Sequence, residues 1–158
     1  MPMQRRAGFT LLEMIVVLAI AALIIGIGAG AVQRMAQENE LRKVSQDVEA
    51  LFMQAAQRAS ATSITQMVVF DQDGVELTGA NPQAGGAGMR VAFPAGTKFQ
   101  LRRMGSDRWG AAAGQRLMIL PGGLCEPLGL RLDWQNSTVR ASLDPLTGGF
   151  VDVEEVLQ

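Results

Sequence analysis

The apolar run over residues 14–32 limits the folds open to this chain more than any other feature. It contains no charged residue and no proline, and about 20 helical residues are enough to cross hydrocarbon about 30 Å thick. The sequence therefore predicts a transmembrane helix over residues 9–32. Arg5 and Arg6 precede the run, and because positive charge favours the cytoplasmic side, the rest of the chain is expected on the opposite side of the membrane.

A cleaved secretory signal is the main alternative to a membrane anchor. Such signals have a shorter apolar region followed by a cleavage site of small residues. The run here is long, although residues 26–31 do supply small side chains near its end. The length favours the anchor.

The composition disfavours the common catalytic and metal sites. The 158 residues include no histidine and one cysteine, Cys125, so no disulfide can form within the chain. The usual nitrogen and sulfur ligands of zinc are missing, as is any pairing of histidine with a nucleophile. We expect no enzyme, no metal site and no cofactor, and the net charge of -1 implies no polyelectrolyte partner for the chain as a whole.

Glu13 is the one charged residue within the predicted span. A carboxylate inside a membrane helix costs about 2.5 to 3.5 kcal/mol on insertion scales, and less near a helix end, so it normally has a partner. The span offers none. The residues around it, Gly8-Phe9-Thr10-Leu11-Leu12-Glu13, resemble the class III signal of type IV pilins and type II secretion pseudopilins.

This resemblance implies processing and assembly. A prepilin peptidase of the inner membrane would cut after Gly8, which makes residues 1–8 a leader peptide, and would methylate the new amino terminus at Phe9. Glu13 would then be an assembly residue, placed against the charged amino terminus of a neighbouring subunit, where a low dielectric strengthens the attraction. The implied partners are the peptidase and other pilins or pseudopilins in a hetero-oligomeric filament.

The chain after the span predicts an α+β, pilin-like domain. Residues 33–61 keep a helical period with one apolar face, which predicts an amphipathic continuation of the helix. Residues 62–158 predict a periplasmic β-rich domain, with one antiparallel sheet or a pair of sheets packed on the second half of the helix. A hairpin with an Asp73-Gly74 turn is expected, and residues 79–88 are expected to form a flexible loop. The predicted strands are 67–70, 75–78, 89–93, 97–102, 115–120, 128–133, 138–143 and 150–156.

Two glycine turns narrow the resemblance. Leu120-Pro121-Gly122-Gly123 and Leu146-Thr147-Gly148-Gly149-Phe150 are similar to turns of the minor pseudopilin H group and of FimT-like minor pilins. Resemblance to the pseudopilin H group implies a minor pseudopilin of type II secretion in the inner membrane. Resemblance to the FimT-like group implies a minor type IV pilin for pilus assembly or DNA uptake. The sequence leaves open the neighbouring subunits, cargo contact, and whether Gly26, Gly28 and Gly30 form a packing face or a helical stretch that melts on assembly.

Two charged clusters also have two interpretations each. Basic residues beside Phe93, Phe99 and Trp109 suit either a phosphate-tracking surface or a solvated strand face with aromatic side chains turned inward. These basic residues are Arg90, Lys98, Arg102, Arg103, Arg108 and Arg116. Four acids near the end suit either a solvated segment or oxygen ligands for calcium, although their spacing matches no calcium loop. These acids are Asp144, Asp152, Glu154 and Glu155.

Overall fold

The computed structural model describes residues 10–79 and 88–156, and for residues 27–34 and 36–38 only the backbone. In this part of the chain a helix is followed by nine strands in antiparallel sheets, which confirms the predicted α+β class and is consistent with a pilin-like fold. The elements are α1 (Leu11–Thr62), β1 (Gln66–Phe70), β2 (Gly74–Gly79), β3 (Arg90–Ala92), β4 (Lys98–Arg103), β5 (Gly110–Ala111), β6 (Arg116–Ile119), β7 (Leu128–Trp134), β8 (Ser137–Leu143) and β9 (Phe150–Val156).

The chain divides into two compact units, Met1–Gln37 and Glu38–Gln158. Within the described residues, no helix combines the length and the apolar character needed to cross a membrane, so the span over 9–32 stays a prediction. The large apolar side chains described in the first unit are exposed. They are Leu11, Leu12, Met14, Ile15, Val16, Val17, Leu18, Ile20, Leu23, Ile24, Ile25 and Met35.

The second unit contains two sheets, which decides between the predicted single sheet and pair. The four-stranded sheet has the order β3-β2-β1-β6, and the five-stranded sheet has the order β5-β4-β7-β8-β9. The chain passes from the first sheet to the second between β3 and β4, and returns between β5 and β6. The Trp134 indole N–H donates a hydrogen bond of 3.2 Å to the carbonyl of Ala95, which ties the first crossing to β7.

The apolar face of α1 in this unit packs against both sheets. Phe52 is fully buried, and its ring centroid lies 6.2 Å from that of Phe70 on β1 and 6.1 Å from that of Phe150 on β9. Burial of one such side chain stabilises a fold by about 1.5 to 3 kcal/mol. The helix residues buried in the core are Leu41, Val44, Val48, Leu51, Phe52, Ala55, Ala56 and Ala59.

The predicted hairpin is present, but its turn lies one residue earlier than expected. Phe70 pairs with Val75, and the Asp71 N–H bonds to the Gly74 carbonyl at 2.9 Å, so Gly74 is already the first residue of β2. A Cβ on Gly74 would overlap the carbonyl oxygen of Val91 on β3. Glycine is therefore needed for the close approach of β3. Most of the predicted loop over 79–88 lies outside the described residues.

Both glycine turns dock on the same turn of α1. Gly123 and Gly148 have positive φ angles of 84° and 70°. A Cβ on Gly123 would lie 3.0 Å from the Ala56 carbonyl oxygen, and one on Gly148 would lie 2.9 Å from the Phe52 carbonyl oxygen. The turns that carried the sequence resemblance are thus contacts between loops and helix, and they require glycine for both conformation and space.

We predict that Gly148→Ala destabilises the second unit more than Gly96→Ala does. Both residues have positive φ, which costs alanine about 1 to 2 kcal/mol, but only Gly148 faces backbone, since the space around Gly96 is open. Urea unfolding of the full-length chain in detergent, followed by the fluorescence of Trp109 and Trp134, measures both losses. Equal shifts in the unfolding midpoint would show that the docking of this turn on α1 contributes nothing.

Candidate functional site

The described part of the processing motif is the start of α1. Thr10 precedes the helix, and its hydroxyl oxygen accepts the Glu13 N–H at 3.3 Å, while its carbonyl accepts the Met14 N–H at 3.3 Å. Thr10 is therefore the N-cap, and a threonine followed three residues later by glutamate is a capping-box spacing. Arg5, Arg6, Gly8 and Phe9 lie outside the described residues.

The geometry gives Glu13 a second physical role, which the interpretation of the sequence missed. A carboxylate in the first helical turn interacts favourably with the exposed N–H groups there. The sequence did contain the pattern of a helix N-cap, in the three-residue spacing between Thr10 and Glu13. The side chain is exposed, and none of the ion pairs formed among the described residues includes it. Within the described part of the chain, its carboxylate therefore has no ionic partner.

The predicted basic surface is divided between the two sheets. Arg90 lies on β3 and Arg116 on β6 of the four-stranded sheet, whereas β4 carries Lys98, Arg102 and Arg103 in the five-stranded sheet. Arg108 is exposed in the loop between β4 and β5. These residues do not share one face.

Two of the basic residues are neutralised by nearby acids. Arg90 lies 2.9 Å from Asp73 and 3.6 Å from Glu76, and it also approaches Asp71. Arg103 forms an ion pair with Glu126. These contacts are exposed and contribute little to stability, but they reduce the charge available to an anionic ligand.

Phe93 and Phe99 are core residues rather than a stacking surface. Their rings are buried and lie 5.2 Å apart in an edge-to-face arrangement. Trp109 is different, because it is half-buried and the Arg102 guanidinium lies 4.9 Å from its ring centre. The pair covers Gly129, where an added Cβ would meet both side chains at 3.3 Å. Of the three aromatic residues, only Trp109 lies where a ligand could reach it.

The outer face of the five-stranded sheet gathers more positive charge than the sequence indicated. We call Lys98, Arg102, Trp109, Arg131 and Arg140 the arginine face. Arg131 on β7 and Arg140 on β8 pair directly across the strands, an arrangement in which like charges repel. Arg131 contacts Asp133 at 2.9 Å, while Arg140 lies 4.0 Å from Glu154. The alternation of polar and apolar residues along each strand was sufficient to predict that Arg131 and Arg140 lie on the polar face.

The four C-terminal acids lie in different settings. Glu155 contacts Arg42 of α1 at 2.6 Å, and Asp152 has a φ of 52° at a bulge in β9. Hydrogen bonds from the Leu146 N–H and the Thr147 hydroxyl lower the pKa of Asp144. Among the described residues, no three His, Cys, Asp or Glu side chains are grouped as a metal site requires.

Cys125 is half-buried beside the second glycine turn. Its N–H bonds to the Pro145 carbonyl at 3.1 Å, which joins the 120–126 segment to the 144–149 turn. Burial raises the pKa of the Cys125 thiol, and the negative charges of Asp144 and Glu126 raise it further. A thiolate is the nucleophilic form of cysteine, so this thiol is expected to react slowly at neutral pH.

We predict that maleimide labels Cys125 in the full-length chain with a rate that rises at higher pH than for an exposed thiol. The control is Ser106→Cys in a Cys125→Ser background, because Ser106 is exposed. The raised pKa leaves less thiolate on Cys125 at any pH below the midpoint of the rise. Identical midpoints for the two thiols would contradict the electrostatic account of this position.

Comparison with known proteins agrees with the motif at the start of the chain. The prokaryotic N-terminal methylation motif matches residues 3–29, which include Gly8, Phe9, Thr10 and Glu13. No curated protein and no solved structure matches the chain. The chain thus carries the methylation motif of type IV pilin-like proteins, which implies in general terms cleavage by a prepilin peptidase and assembly with other pilins.

Proposed function

We propose that this chain is a minor pseudopilin of a type II secretion system. It is cleaved after Gly8, N-methylated at Phe9 and incorporated in small numbers into the periplasmic pseudopilus. The observation that carries the proposal is the methylation motif over residues 3–29. From Leu11 onward the motif lies on α1, the helix that also supplies core residues of the second unit. The role is structural rather than catalytic.

The exposed apolar side chains of the first unit support this function. A contiguous apolar surface of this kind requires a cover. In the proposed cycle the inner membrane covers it before assembly, with the second unit in the periplasm, and the helices of neighbouring subunits cover it afterwards. Glu13 lies within this surface, where an unpaired carboxylate is costly.

Cleavage creates a partner for Glu13. Removal of residues 1–8 leaves a positively charged amino group on Phe9, and opposite charges attract strongly where water is excluded. In the filament, Glu13 of one subunit binds the amino terminus of its neighbour. Thr10 contributes by fixing the start of the helix, through its contact with the Glu13 N–H.

The resemblance to the minor pseudopilin H group, which FimT-like minor pilins share, rests on the two glycine turns. Their sequence is similar to that of the minor pseudopilin H group, and in the structure both contact α1 at Phe52 and Ala56. This docking gives the pattern a physical reason. The contacts of the two turns hold the β-rich part on α1. We propose the secretion system, rather than a pilus, as the apparatus that the chain serves.

We predict that Glu13→Ala and Glu13→Gln both insert into the membrane but are lost from the filament. Glutamine keeps the size and the capping ability of glutamate and removes only the charge. We expect each variant to fall about tenfold or more in the sheared filament fraction, which corresponds to about 1.4 kcal/mol. Glu13→Asp keeps the charge and is the matched control for a shortened side chain.

Normal incorporation of Glu13→Gln would show that capping, and not charge, is what assembly needs. Immunoblots of the membrane and filament fractions, made in the same cells, separate a defect in assembly from a defect in insertion.

A second candidate function is that of a FimT-like minor pilin in DNA uptake, favoured by the arginine face. Arg102 stacked on Trp109 is an arrangement suited to an unstacked base. Arg131 and Arg140 lie directly opposite each other, and Arg140 is only 4.0 Å from its nearest acid, Glu154, whereas Arg131 contacts Asp133 at 2.9 Å. A phosphate between the two guanidinium groups would remove their repulsion. The internal pairing of Arg90 and Arg103 removes those residues from this surface.

Retention of single-stranded DNA by the full-length chain in detergent tests this candidate. Arg102→Gln with Arg140→Gln is expected to abolish retention, whereas Arg90→Gln with Arg103→Gln removes the same charge elsewhere and is expected to preserve it. Retention should weaken steeply with salt. No retention at low salt, or an equal loss in both double variants, would rule out DNA uptake through this face.

A further inference from the structure

A groove of about 560 Å³ opens beside β6. The apolar side chains that line it include Met67, Met118, Leu120 and Leu124, and we call it the β6 groove. Met118 is 61% exposed, Leu120 50% and Leu124 47%. The pairing of Met67 with Met118 places both on the outer face of the four-stranded sheet. Exposed apolar side chains gathered in this way mark a contact surface.

The rim of the β6 groove is basic. Arg103 and Arg116 both line it, with one acid, Glu126. Glu126 is bound to Arg103, and Arg116 takes part in none of the ion pairs formed among the described residues. The groove therefore attracts a partner that is both apolar and acidic.

Strand β9 of the same unit has this complementary chemistry. It is the outermost strand of the five-stranded sheet, bonded to β8. We call the exposed residues Val151, Glu154 and Val156 the β9 edge. The two valines are 45% and 48% exposed, and the Glu154 side chain is 72% exposed, 4.0 Å from Arg140. An outermost strand with apolar side chains is a ready surface for another chain.

We propose that the β6 groove of one copy receives the β9 edge of a second copy. The valines would cover Met118, Leu120 and Leu124, and Glu154 would approach Arg116. Among the described residues, none of those lining the groove belongs to β9, so β9 is free to bind the groove of another copy. The second copy is favoured because charge and apolar character match on two surfaces of the same unit.

The contact is heterologous, since it joins two different surfaces. Each pair of copies leaves one groove and one β9 edge free, so the contact can propagate in an open series instead of closing as a symmetric dimer. This interaction goes beyond the proposed function. It does not depend on cleavage at Gly8, and its failure would leave the N-terminal processing untouched.

Disulfide crosslinking between two differently tagged full-length chains in cells tests the contact. Both chains carry Cys125→Ser; one also carries Met118→Cys and the other Val151→Cys. We expect a mixed disulfide joining the two tags after mild oxidation of membranes. The matched control carries Lys98→Cys in place of Val151→Cys. Lys98 is exposed on β4, in the same five-stranded sheet as Val151, and the control should give no mixed disulfide.

A charge swap adds a readout that misfolding cannot imitate. Arg116→Glu on the Met118→Cys chain, or Glu154→Arg on the Val151→Cys chain, should each reduce the mixed disulfide about tenfold, and combining the two should restore it. The proposal is overturned by the absence of a mixed band, by an equal band with Lys98→Cys, by crosslinking of Met118→Cys to a different protein alone, or by failure of the combined swap to restore crosslinking.

Discussion

Burial of one face of α1 against two sheets is the interaction on which the second unit depends. Phe52 is in contact range of Phe70 in one sheet and of Phe150 in the other. Phe70 also contacts Phe99 of the second sheet, with ring centroids 5.6 Å apart, so the helix and both sheets share a single core. The glycine turns at Gly123 and Gly148 contact the same helical turn. Loss of packing at this point would loosen both sheets together, because neither has another described helix to cover it.

The first unit differs from the second in the exposure of its apolar side chains. Its described apolar side chains are exposed, and the helix starts at Thr10 with Glu13 in its first turn. In a subunit that leaves a membrane for a filament, the same apolar surface is buried first in lipid and then against the helices of neighbouring subunits. The Glu13 carboxylate is tolerated in this apolar surface if the neighbouring helices of the filament bring a positive charge to it. The amino terminus of Phe9 is proposed to supply that charge.

Local features of the fold could be predicted from the sequence, whereas contacts between distant elements could not. Helical and strand periods depend on residues close in the chain, so α1 and most strands were predicted nearly to their ends. The two-residue strand β5 is too short to show a period. The reason for Gly74 lies in Val91 on β3, and the like-charged pair of Arg131 and Arg140 depends on strand register. The Thr10-to-Glu13 cap was local and could have been found; Gly8 and Phe9 lie outside the described residues, so the cleavage site stays a prediction.

The mass of the N-terminal peptide of the chain, purified from cells that contain a prepilin peptidase, tests the central claim most directly. The account predicts a mature chain that begins at Phe9 and carries one N-methyl group. Cells without the peptidase should yield the chain with residues 1–8 still attached. A mature chain that keeps residues 1–8 beside an active peptidase, or one that begins after the small residues at 26–31, would contradict the account.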